Sequence, residues 1–92
     1  MTEQYQIPKL DFTTFVLSVA SAAYMGLGIA PPGTQEAPSV NLDLARQNID
    51  LLELLWEKTK GNRTAEEDRL LQQLLFETRM RFVDIERKAG TK

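Results

Sequence analysis

The segment "EKTKGNRTAEE", Glu57 to Glu67, stands between two leucine-rich runs and constrains the chain more than any other stretch. Lys58 and Lys60 suit the negative end of a helix dipole, Gly61 suits a left-handed position just beyond a helix, and Thr64 with Glu67 forms a T-x-x-E capping box that starts another. The segment therefore predicts two helices meeting in an antiparallel hairpin about Gly61-Asn62. Other readings explain fewer residues. A phosphate loop requires G-x-x-x-x-G-K-[ST] between a strand and a helix, whereas one glycine stands here between two helices. Asn62-Arg63-Thr64 satisfies N-x-[ST], a triplet that arises often by chance and matters only in a secreted chain.

Upstream of this turn, Asn41 is a candidate N-cap for a helix over 42–60. Leu44, Ala45, Ile49, Leu51, Leu52, Leu55 and Trp56 fall on one half of its circumference; Asp43, Arg46, Asp50, Glu53, Glu57 and Lys60 fall on the other. Asn48 and Thr59 sit within the apolar half and need hydrogen-bond partners if buried. Downstream, a helix over 65–87 presents Leu70, Leu71, Leu74, Leu75, Phe82 and Ile85 on a core face. Phe76, Met80 and Val83 form a second stripe nearly opposite. A monomeric hairpin cannot bury both.

A third helix is expected over 12–27, capped by Asp11, with Phe12, Phe15, Val16, Val19, Ala22, Ala23 and Leu27 on its inner face. Thr14, Ser18, Ser21 and Met25 lie opposite, and no charged side chain occurs between residues 12 and 35. An uncharged back face argues that the helix is covered on most sides, by its own chain or by a second subunit. Its sixteen residues, four of them Ser or Thr, fall short of the roughly 20 apolar residues a membrane span needs. A signal peptide is also disfavoured, because Glu3 and Asp11 offset Lys9 and leave no positively charged leader.

The resulting expectation is an all-α chain with an N-terminal tail over 1–10 and a helical domain over 11–88, ending in a short tail over 89–92. The Pro/Gly-rich stretch 28–41 would be a connector.

Chemistry is constrained by what is missing. The chain has neither cysteine nor histidine, which removes thiolate nucleophiles, sulfur metal ligands and the commonest neutral-pH base. Asp50, Glu53 and Glu57 share a face without the E-x-x-H that di-metal bundles use. No cofactor, metal or catalytic residue is expected. At a formal charge of −2, neither nucleic acid nor membrane is an expected partner, although Arg79, Arg81, Arg87, Lys88 and Lys92 bias the C-terminal end toward weak nucleic-acid binding.

Two resemblances bear on function. "ARQNIDLLELLWEK" looks like the helix of an all-helical chorismate mutase, the alternative enzyme reading. Those enzymes have a much longer first helix and several cationic residues facing one pocket, whereas this helix ends at Gly61. "DFTTFVLSVASAAYMGLG" and "NLDLARQNIDLLELLWEKTKGNRTAEEDRLLQQLLFETRMRF" together resemble the short bacterial proteins grouped as domain of unknown function 1844, over residues 11 to 83. Arg63 stands where a leucine is commoner, and Asn48 where a threonine or small residue is usual. The resemblance implies a small bacterial cytoplasmic helical protein and supplies no catalytic or ligand residues. The expected function is association: a homo-oligomer, most simply a two-fold dimer, with a further protein partner as an adaptor possibility. The candidate interaction residues are Phe76, Met80, Val83, Asn48, Ser18 and Met25.

Overall fold

The computed structural model describes residues 10–30 and 36–90. Among them the regular elements are three helices: α1 (Phe12–Gly26), α2 (Leu42–Lys58) and α3 (Ala65–Gly90). Apart from Leu10, the N-terminal tail lies outside the described residues, as do 31–35 of the connector and 91–92.

Each helix begins where a side chain satisfies an otherwise orphaned backbone donor. Asp11 accepts from the Thr14 N–H at 2.8 Å, a bond that holds its carboxyl below the usual carboxylate range. Asn41 accepts from the Leu44 N–H at 3.1 Å. Thr64 and Glu67 close both halves of the capping box, at 2.8 and 3.1 Å.

The ends differ from expectation by one to three residues. α1 stops at Gly26, and the left-handed residue that follows is Gly28, with φ 83°. α2 stops at Lys58, where Thr59 leaves helical geometry; Gly61, at φ 85°, then supplies the left-handed turn. α3 continues to Gly90, with acidic residues in its first turn and Arg87 and Lys88 in its last, both favourable to the helix dipole.

Val16, Val19 and Ala20 of α1, Leu52 of α2, and Leu71 and Leu75 of α3 form the buried core. Phe12, Tyr24, Leu51, Leu55, Trp56, Leu70 and Leu74 pack around it. α1 and α2 come into close backbone contact at Gly26, where an added Cβ would lie 2.6 Å from the Ala45 nitrogen and 2.9 Å from the Asn41 oxygen. The Asn41 N–H donates to the Gly26 carbonyl at 2.7 Å across the same crossing. Only glycine fits there.

This close crossing changes which residues are covered. The small side chains Ala20, Ala23 and Ala45 are buried, whereas Phe15 and Leu44, both expected on core faces, are exposed. Thr78, not expected in the core, is fully buried beside Leu71 and Leu75. Its hydroxyl donates to the Leu74 carbonyl at 2.7 Å, which removes the cost of burying it. Among the described residues, no helix is long and apolar enough to cross a membrane.

Candidate interaction surface

The turn between α2 and α3 shows how its charge is used. Arg63 lies with its guanidinium carbon 4.0 Å from the centre of the Trp56 ring. Its Nη1 donates to the Trp56 carbonyl at 2.8 Å and to Thr59 Oγ1 at 2.9 Å, and its Nε donates to Asp68 Oδ1 at 2.9 Å. One side chain thus satisfies a carbonyl at the end of α2 and pairs with a carboxylate in the first turn of α3. With its side chain only 7% exposed, Arg63 is committed inward. Thr59, foreseen as a polar group needing a partner, donates to the Leu55 carbonyl at 2.6 Å.

The second stripe of α3 is uncovered. Phe76, Met80 and Val83 are 66%, 56% and 48% exposed, respectively. They line an open groove of about 1270 Å³ whose other wall is Glu53, Trp56 and Glu57 of α2. Arg79 reaches across to Glu53 at 2.6 Å. Arg81 pairs with Glu77 at 3.5 Å and Lys88 with Asp84 at 3.6 Å, so these C-terminal basic residues stand beside carboxylates of their own chain. On the inner side of α3, the Tyr24 phenol is pushed up to about 12, first by burial and then by its hydrogen bond to Glu77 and that group's charge.

The remaining candidates, Ser18, Met25 and Asn48, do not line this groove. Met25 lines a shallow depression with Val40 and Leu44, and none of these residues lines the α3 groove. Ser18, two helical turns before Met25 and exposed like it, donates its hydroxyl to the Phe15 carbonyl at 2.8 Å. Asn48, one turn after Leu44, is half-buried and donates to the Leu44 carbonyl at 3.0 Å. The structure therefore places Phe76, Met80 and Val83 together on the groove and leaves Ser18, Met25 and Asn48 off it. The groove wall from α2 was missed. Glu53, Trp56 and Glu57 follow i, i+3, i+4 spacing along one edge of that helix, the signal that could have marked it.

Among the described residues, no group of three or more carboxylates is placed to hold a metal ion. What the geometry defines is a small all-helical protein with a groove of mixed charge and an apolar floor. The family profile described as Domain of unknown function (DUF1844) matches residues 9–84, most of the chain, and the protein belongs to that family. No curated protein and no solved structure matches the chain.

Proposed function

We propose that the protein works through association with other protein chains, first with itself as a homo-oligomer, and carries out no catalytic step. The carrying observation is the row Phe76, Met80, Val83, three large apolar side chains left about half exposed or more on one helix face. A face of this kind usually marks an interaction site. In this reading α2 and α3 act as an antiparallel hairpin about Gly61-Asn62, which holds the stripe beside the α2 wall.

The groove's form supports a protein occupant. It is open, and Glu53, Glu57, Glu77 and Asp84 alternate around it with Arg79, Arg81 and Arg87. Small-molecule sites are more enclosed, whereas helices commonly dock in open apolar grooves with polar rims. Gel filtration with light scattering tests the proposal. Wild type is expected to run as a dimer at tens of micromolar, and Met80→Lys to shift it toward monomer. A monomeric wild type over that range would overturn self-association.

A further inference from the structure

We propose that the groove's partner is α3 of a second copy, paired antiparallel in one defined register; this rests on the self-association reading above. Phe76, Met80, Val83 and Arg87 follow spacings of four, three and four residues, the a/d repeat of a two-helix seam. Arg79 and Glu86 flank that seam on one side, and Glu77 and Asp84 flank it on the other.

Charge selects the pairing. A parallel arrangement would set Arg87 against Arg87 of the second copy within the seam, stacking like charges. An antiparallel arrangement centred between Arg81 and Phe82 sets Met80 against Val83 and gives Arg87 the Phe76 ring to lie on. It also sets Arg79 against Glu86, and the two-fold axis produces that contact twice. Shifting the centre to Thr78 would bring Arg79 against Arg79. On the opposite flank Glu77 faces Asp84, but these carboxylates already stand 3.5 Å from Arg81 and 3.6 Å from Lys88 of their own helix. Arg79 reaches Glu53 across the groove, which places its guanidinium on the seam's flank before a second copy arrives.

The test exploits the symmetry. Residues 79 and 86 lie two turns apart, about 10.5 Å along the helix, too far for direct pairing within one chain. Arg79→Glu and Glu86→Arg, each prepared alone, are expected to dissociate about tenfold more readily than wild type. Mixed one to one, they are expected to form a heterodimer of wild-type strength, resolved by native mass spectrometry, with circular dichroism confirming that each variant is helical. Rescue of Arg79→Glu by Asp84→Arg instead of Glu86→Arg would overturn the antiparallel register. If both single variants assemble like wild type, the α3 seam is wrong while self-association stands. A monomeric wild type removes both.

Discussion

α1 and the distal half of α3 are each about as long as the other, yet the chain treats them differently. α1 buries five of its 15 residues, all of them glycine, alanine or valine. α3 buries three of 26, all before Arg79. The difference lies in how the apolar residues are arranged rather than in their presence. α1 directs small side chains toward one neighbour and achieves a backbone-close crossing. α3 divides its large apolar residues between two opposite stripes, and one neighbour can cover only one of them.

The sharpest way to break this contrast is to spoil the close crossing. Gly26→Ala places a methyl group against backbone atoms of α2 that cannot rotate away, and a loss of about 3 kcal/mol is expected in urea unfolding. Arg63→Lys comes next: the charge remains, but the fork that reaches Trp56, Thr59 and Asp68 together does not. A loss of about 2 kcal/mol is expected by the same measurement. Phe76→Ser on the exposed stripe should alter monomer stability by no more than about 0.5 kcal/mol. A loss as large as that at Gly26 would show the stripe to be part of the fold.

The remaining effect shows only at high pH. Tyr24 holds its proton more tightly folded than unfolded, so its stabilising contribution is complete below about pH 10, the ordinary phenol value, and is lost as pH rises through about 12. Tyr24→Phe should remove that decline from stability measured across pH 9 to 12, and an unchanged profile would place its cause elsewhere.

What was legible in the sequence was local. Asp11, Asn41 and the Thr64/Glu67 box each bond within one turn of their own position, so spacing alone identifies them. The exposed stripe was also legible, because opposite helix faces follow from periodicity. Arg63 was not, since its bonds to Trp56 and Asp68 exist only once the turn has closed. Phe15 and Leu44 were misplaced for a related reason: the alanine and glycine crossing sets how α1 rolls on α2, and helical periodicity contains no information about that roll. The separation of Met25 and Asn48 from the α3 groove likewise depends on how the helices are set against one another.

The ring beneath Arg63 has a practical consequence. Trp56 is the only tryptophan in the chain, and it contacts the Arg63 cation on one side while lining the groove with Phe76 and Met80. Its emission therefore senses both the closing of the turn and the entry of anything that excludes water from the groove. One unlabelled chromophore can follow both the proposed assembly on dilution and unfolding in denaturant, and an Arg63 substitution would separate the two signals.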